Sequence, residues 1–246
     1  MTDAQRTYPG VFITFEGGDG AGKSTHIRYL AALLENAGEE VVRVREPGGT
    51  AVGEALRAVV LDPAHTAMSD RAELLIYEAA RAQIVDEVIC PALRRGAVVL
   101  CDRFYDSTVA YQGFGRGLDR AFIDRVNAFA ADGLTPDCTV LLTAAEADTA
   151  ERMERRGKAD RLEQEGAAFR QRVGEGFAAL VAQEPDRVMR VQSQPEKADT
   201  FRAVLDAVAP ALGSSYTAAL QDVAAIEAAL AQVDAEKARE KEARGE

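Results

Sequence analysis

Residues 17–24, Gly17-Gly18-Asp19-Gly20-Ala21-Gly22-Lys23-Ser24, fit the pattern G-x-x-x-x-G-K-[ST]. This pattern constrains the fold more than any other feature of the chain, because it has meaning only between a strand and a helix. Both flanks are present. Val11–Glu16 is a short run of apolar, β-branched and aromatic residues, and Ser24–Ala37 carries Ile27, Leu30, Leu33 and Leu34 at helical spacing before Gly38. The glycines let backbone N–H groups turn toward an anion, and the helix N-terminus adds a favourable dipole. In such a P-loop, Lys23 reaches the β- and γ-phosphates of a triphosphate and the Ser24 hydroxyl is a ligand for Mg²⁺. Alone, the motif is shared by kinases, GTPases, motors and transporter subunits.

Further strand and helix patterns alternate along the chain. Strands are expected at Glu40–Val44, Ala97–Cys101, Cys138–Leu142 and, more weakly, Arg187–Val191. Helices are expected at Gly53–Leu61, at Asp70–Arg95 with a possible bend at Pro91, and at Ala121–Ala131, Ala145–Arg156, Glu163–Ala182 and Lys197–Leu212. Near-continuous apolar strands with helical crossovers predict an α/β fold: three αβα layers around a five-stranded parallel sheet, helices on both faces, with ligands at the carboxyl ends of the strands. Residues 1–213 read as one P-loop domain with a lid at about 150–165. Residues 214–246 read as a helical, charged extension; its short stripe of Val223, Ile226, Leu230 and Val233 fits either a docking or coiled-coil helix or a solvated terminal helix that frays, and since it spans too few heptads for a coiled coil the fraying helix is the expectation.

The 246 residues are 47% apolar, enough for one sizeable core, and carry a formal charge of −11. So acidic a surface argues against nucleic acid and anionic lipid as partners, and requires any phosphate site to be a local concentration of basic residues. Cys90, Cys101 and Cys138 are scattered in apolar stretches with no metal or disulfide spacing, which points to a cytoplasmic protein. Met1–Gly10 is polar, and no apolar run is long enough for a membrane span.

Two more features bear on chemistry. Asp102-Arg103 directly follows the most apolar strand, so Asp102 could hold Mg²⁺ and Arg103 could clamp a second phosphate; a surface ion pair is the plainer alternative. Tyr77 and Arg81 share a helix face and could stack and hydrogen-bond a base, although spacing alone favours a core tyrosine beside a surface arginine. No N-K-x-D base-reading motif of G proteins is present.

Taken together, the motifs resemble the bacterial-type thymidylate kinases. The resemblance is carried by Phe15-Glu16-Gly17 through Ser24-Thr25, Arg45-Glu46-Pro47-Gly48-Gly49-Thr50, Asp102-Arg103-Phe104 through Ser107 with Ala110-Tyr111-Gln112-Gly113 and Gly115-Arg116-Gly117, and Asp160-Arg161-Leu162-Glu163. It runs from about Val11 to Leu212. It implies ATP-dependent phosphorylation of dTMP to dTDP for dTTP synthesis, in a homodimer. It also implies that ATP meets Gly17, Gly18, Asp19, Gly20, Ala21, Gly22, Lys23, Ser24, Thr25 and Arg155, with Mg²⁺ at Ser24 and Asp102.

By the same resemblance, Asp19 and Glu46 lie near the sugar and phosphate of dTMP, and Arg57 and Arg103 contact its phosphate. Tyr77 stacks on thymine, Arg81 bonds O4, Thr108 and Gln112 read the base edge, and Tyr111 crowds the 2′ position. Glu46-Pro47 resembles the family's cis-proline turn, and Gln192–Pro195 its adenine-side loop. Catalysis would fall to Lys23, Arg103 and lid arginines, Arg156 and Arg161 among them. Two departures are noted: Tyr77 stands where phenylalanine is usual, and Thr108 where serine, threonine or asparagine is seen. The other readings are a different P-loop nucleotide or deoxynucleoside kinase, and a nucleotide-dependent switch.

Overall fold

Five strands, β1 (Val11–Glu16), β2 (Val41–Arg45), β3 (Val98–Asp102), β4 (Cys138–Thr143) and β5 (Val188–Gln192), form one sheet in the order β2-β3-β1-β4-β5 in the computed structural model, which describes residues 8–144 and 160–244. Every neighbouring pair is parallel. β1 is buried along its whole length, as expected of a central strand covered on both faces. Its side chains alternate between two cores. Val11, Ile13 and Phe15 pack with α1 (Lys23–Asn36) and α8 (Lys197–Leu212), through Leu30, Leu33, Phe201 and Val204. Phe12 enters the opposite core with Val99, Ile84, Val85 and Ile89. The fold class is the one the sequence predicts.

Local chemistry sets the helix boundaries. α2 (Ala51–Leu61) starts two residues before the expected Gly53 because the Thr50 hydroxyl caps it, accepting from Gly53 N. α6 (Arg120–Ala130) is capped in the same way by Asp119. The expected single helix Asp70–Arg95 is α3 (Asp70–Ile84), a π-helical turn (Val85–Ile89) and α4 (Cys90–Arg94). The wider turn accommodates Pro91, which lacks an N–H and crowds the preceding turn. The helix expected from Glu163 begins only at α7 (Ala167–Gln183). Before it, the Asp160 carboxylate accepts from the backbone N–H of Leu162 and Glu163 and holds a turn. A short helix, α5 (Tyr105–Thr108), and a π-helical turn (Val109–Gly115) follow β3 where no element was expected. The expected helix Ala145–Arg156 and most of the expected lid lie outside the described residues.

The extension departs from expectation. α9 (Thr217–Gln221) and α10 (Val223–Arg244) do not hang in solvent. Ile226, Ala229 and Val233 are buried in the core cluster that contains α1. Polar contacts fix the register along α1: Tyr29 Oη donates to Asp234 Oδ1 at 2.6 Å, Arg28 is bidentate to Glu240 at 2.8 and 2.9 Å, and Asn36 pairs with Gln232. Val223, at the start of the expected stripe, is 61% exposed, while Ala229 joins Ile226 and Val233 in the seam. Small residues were invisible to a stripe sought among large apolar ones.

Among the described residues no helix is long and apolar enough to cross a membrane. The three cysteines are buried and free.

Candidate active site

The parallel register places Phe15 of β1 opposite Asp102 of β3, so the P-loop and the Asp102-Arg103 segment leave the sheet side by side. The chain turns away to opposite sides from these two central strands, which is where such sheets bind ligands. The turn out of β1 needs glycine. Gly17 has φ 126°, and a Cβ there would lie 2.1 Å from Leu142 O.

A cavity of about 760 Å³ opens at this edge. At one end it is lined by Gly20, Gly22, Lys23, Ser24 and Thr25 of the P-loop, and at the other by Tyr77, Arg81, Thr108 and Gln112. Asp19, Glu46, Arg57, Asp102, Arg103 and Tyr111 also line it. One pocket thus unites most of the residues singled out from sequence.

At the P-loop end, Lys23 Nζ donates to Gly17 O and Gly18 O, both at 3.0 Å. Burial pushes its ammonium down to about 8, and Arg103 adds to the effect. Ser24 Oγ donates to Asp102 Oδ2 at 2.7 Å, bringing together the two expected Mg²⁺ ligands. Among the described residues no three His, Cys, Asp or Glu side chains converge as a metal site. A hydroxyl and one carboxylate are nevertheless the hard oxygen donors Mg²⁺ accepts when phosphates and water complete its shell.

Arg103 sits between the two ends. Its Nη2 is 2.8 Å from Asp19 Oδ1, its Nη1 donates to Ser107 Oγ at 3.2 Å, and its guanidinium lies 5.2 Å from the centroid of the Tyr111 ring. Its backbone is left-handed, φ 70°, a conformation unfavourable for a side chain of this kind. Three contacts enforce it: Arg103 N donates to Phe15 O, Cys101 Sγ donates to Arg103 O, and Phe104 N donates to Glu16 Oε1. Glu16, fully buried, also accepts from Ser107 N and Ser107 Oγ. Burial pushes its carboxyl up to about 7, with Arg103 pulling it down. Sequence reading assigned Glu16 no role, although a carboxylate ending a buried central strand is a signal that could have found it.

At the far end the surface-arginine reading of Arg81 is overturned. Arg81 is 1% exposed, and its guanidinium donates to Glu46, Glu78, Asn127 and Thr108 at 2.6–3.1 Å. Tyr77, on the same helix face, is half-buried rather than core. The Glu46-Pro47 peptide is cis, and Pro47 O accepts from Arg57 Nη1 at 2.8 Å. Glu46 Oε1 has no hydrogen-bond partner among the described residues, and burial pushes the Glu46 carboxyl up to about 7 against the pull of Arg81.

Arg161 is not where a catalytic lid arginine is expected. Its Nη2 is 2.6 Å from Glu73 Oε2 and its Nε donates to Val60 O, so it is held against the end of α2 and does not line the cavity, although Asp160 and Leu162 do. Arg155 and Arg156 lie outside the described residues. Glu73, 1% exposed, also accepts from Gln112 Nε2 at 2.8 Å and from Arg116 Nη2 at 3.0 Å. Its hub role depends on three distant partners, and nothing in the sequence signals it.

The thymidylate kinase family profile matches residues 15–204. The thymidylate kinase of Trichlorobacter lovleyi is 47% identical over 204 residues, covering 80% of this chain and 96% of that protein. The thymidylate kinase of Geobacter sulfurreducens is 48% identical over 203 residues, covering 80% and 95%. The solved structure of thymidylate kinase from Ehrlichia chaffeensis superposes with a TM-score of 0.66 at 31% identity, covering 81% of this chain and 99% of the other.

Proposed function

The chain belongs to the thymidylate kinase family, whose reaction is the ATP-dependent phosphorylation of dTMP, and on this premise we propose how its residues divide the work. The observation that carries the reading is that Lys23 and Ser24 line one cavity together with Arg57 and Arg103. A donor triphosphate on the P-loop and an acceptor monophosphate at Arg103 then meet end to end. The acceptor phosphate is largely ionised at neutral pH, its second pKa being about 6, so no strong general base is needed. Catalysis rests on alignment and on cancelling the charge of two anions brought together.

Lys23 leaves the Gly17 and Gly18 carbonyls for the β- and γ-phosphates. Ser24 and Asp102 would hold Mg²⁺, which would supply charge neutralisation for the transfer. Arg103, with Arg57, grips the dTMP phosphate, and Asp19 keeps the Arg103 fork in plane. Arg155 and Arg156 remain the lid arginines proposed for the transferring group. Arg161 is proposed to tie the lid base to Glu73 unless closure frees it.

The base end has a definite polarity. Gln112 Nε2 is committed to Glu73, so its amide oxygen is what it offers a ligand, and that oxygen suits the N3–H of thymine. Thr108 Oγ1 already accepts from Arg81, so its hydroxyl proton is available to a base carbonyl. Arg81 is committed to protein acceptors, so in this reading it reaches O4 only by releasing one of them. The unpartnered Glu46 Oε1 supports a role in accepting from a sugar hydroxyl. Tyr77 provides the stacking face and Tyr111 the wall on the 2′ side.

The same reading includes a cytoplasmic homodimer. Leu75 on α3 and Phe122 and Phe129 on α6 are exposed, Phe129 by 87%, on two helices that pack together. Such an apolar face suits a second copy of the chain.

The test is an acceptor panel of dTMP, dUMP, UMP, dCMP, dGMP and thymidine with ATP labelled in its terminal phosphate. Label should pass to dTDP in strong preference. Transfer to thymidine, or ATP hydrolysis indifferent to dTMP, would overturn the reading.

A further inference from the structure

α10 begins at Val223, beyond residue 204 where the family match ends, yet it reaches the active-site cavity. It is docked on α1 by the buried Ile226–Ala229–Val233 seam, the Tyr29–Asp234 hydrogen bond and the bidentate Arg28–Glu240 pair, and tied to the start of α8 by Lys197–Asp234 at 3.2 Å. These contacts orient the last turns of α10 along the P-loop helix. Lys237 Nζ donates to Thr25 Oγ1 at 2.6 Å, one residue past Ser24. One turn further on, Lys241 lines the cavity itself, and among the described residues no carboxylate pairs with it.

In a chain of net charge −11, a cation that lines the cavity beside the P-loop helix with no carboxylate partner among the described residues points to an anion. The neighbouring basic residue Arg28 is neutralised by Glu236 and Glu240, which leaves Lys241 as the ammonium that α10 contributes to the pocket. We infer that α10 is an added wall of the donor subsite, with Lys241 binding the triphosphate of ATP and Lys237 positioning Thr25 beneath it. This rests on the proposal that the P-loop end holds the donor. Lys241 is exposed at the cavity rim, so its contribution is that of a solvent-screened pair.

The experiment uses the full-length enzyme with Lys241→Ala, Lys241→Glu and Lys241→Arg, measuring KM for ATP and for dTMP separately, with thermal stability as control. Lys241→Ala should raise KM for ATP about 2- to 5-fold. KM for dTMP and kcat should change little, Lys241→Glu should weaken ATP further, and Lys241→Arg should restore it. Raising salt should narrow the gap between wild type and Lys241→Ala. An unchanged KM for ATP in a stably folded Lys241→Glu, or equal changes for ATP and dTMP, overturns the inference.

Lys23→Met, run in parallel, separates the two claims. If it abolishes ATP use while Lys241→Glu behaves as wild type, only the role of α10 fails. If Lys23→Met still uses ATP normally, the donor assignment itself fails.

Discussion

Arg103 Nη2 and Asp19 Oδ1 lie 2.8 Å apart, so the side chain proposed to grip the acceptor phosphate is already clamped by the loop proposed to hold the donor. The clamp crosses from the end of β3 to the turn after β1. It makes the spacing between the two phosphate grips a property of adjacent, registered strands rather than of mobile loops. Preorganisation of this kind suits a reaction in which two anions must be aligned before either reacts.

Arg103 also carries backbone strain. At φ 70° a non-glycine residue is unfavourable by about 1–2 kcal/mol, and strain of this sort gathers where function demands a particular side-chain direction. Arg103→Ala and Arg103→Gly should both lower kcat/KM by about 10³-fold or more. They should separate in stability. Glycine relieves the strain but makes the unfolded chain more flexible, leaving Arg103→Gly more stable than Arg103→Ala by roughly 0.5–1 kcal/mol. Urea unfolding of the two variants checks this, and an alanine variant as stable as the glycine one would show the conformation to be unstrained.

Glu73 joins three elements, since Gln112, Arg116 and Arg161 all donate to its buried carboxylate. Burial alone would raise its pKa, but Arg116, Gln112 and Arg161 together hold it below the usual carboxylate range. A depressed folded pKa gives stability that is present above the unfolded value near 4.5 and is lost as pH falls below it. Glu73→Ala should destabilise by about 3 kcal/mol, because it strands two partly buried guanidinium groups. It should also raise KM for dTMP more than KM for ATP, since Gln112 loses its anchor. Calorimetric melting and steady-state kinetics on the same preparation test both parts.

How legible the site was depended on whether each function lived in local sequence. The P-loop was legible because its glycines, lysine and serine act through backbone turns within eight residues. Asp102 and Arg103 were legible because a buried parallel strand must deliver its last residues to the ligand edge. Arg81 was misread on spacing: a helical position says nothing about Glu46, Asn127 and Thr108, which come from distant segments to neutralise it. The Glu73–Arg161 contact was hidden for the same reason, its two residues being 88 positions apart. The docking of α10 was only half legible: Ile226 and Val233 of the expected stripe are buried, but Ala229 between them completes the seam, and hydrophobic periodicity barely registers an alanine.

The depressed ammonium of Lys23 makes donor binding pH-dependent. Without nucleotide it titrates at about 8 rather than 10.5, chiefly because it is buried. A bound triphosphate favours the charged form, so its pKa rises in the complex and binding takes up a proton above pH 8. Affinity for a non-hydrolysable ATP analogue should be constant below about pH 7.5 and weaken as pH rises through 8 toward 9.5. Lys237, pushed down to about 8 by burial and by Lys197 and Arg28, titrates in the same window. Lys237→Met should therefore reduce the pH effect without removing it. Calorimetry in buffers of different ionisation enthalpy measures the proton uptake directly, and none at pH 8.5 would contradict the assignment.

The docked extension has a stability signature that a fraying helix would lack. Val233 is 2% exposed and Tyr29 is fully buried with its hydroxyl on Asp234. Val233→Ala removes two buried methyl groups and should destabilise by about 1–2 kcal/mol. Tyr29→Phe should lose about 1.5 kcal/mol, the contribution of a hydrogen bond to a charged acceptor. Each kilocalorie lowers Tm by about 2–4 °C in a chain of this size. The informative measurement is local: hydrogen exchange should show amides of 226–234 protected in the wild type and selectively opened in both variants. If α10 exchanges freely in the wild type, its burial against α1 is not maintained in solution, and Lys241 loses the scaffold that holds it at the cavity.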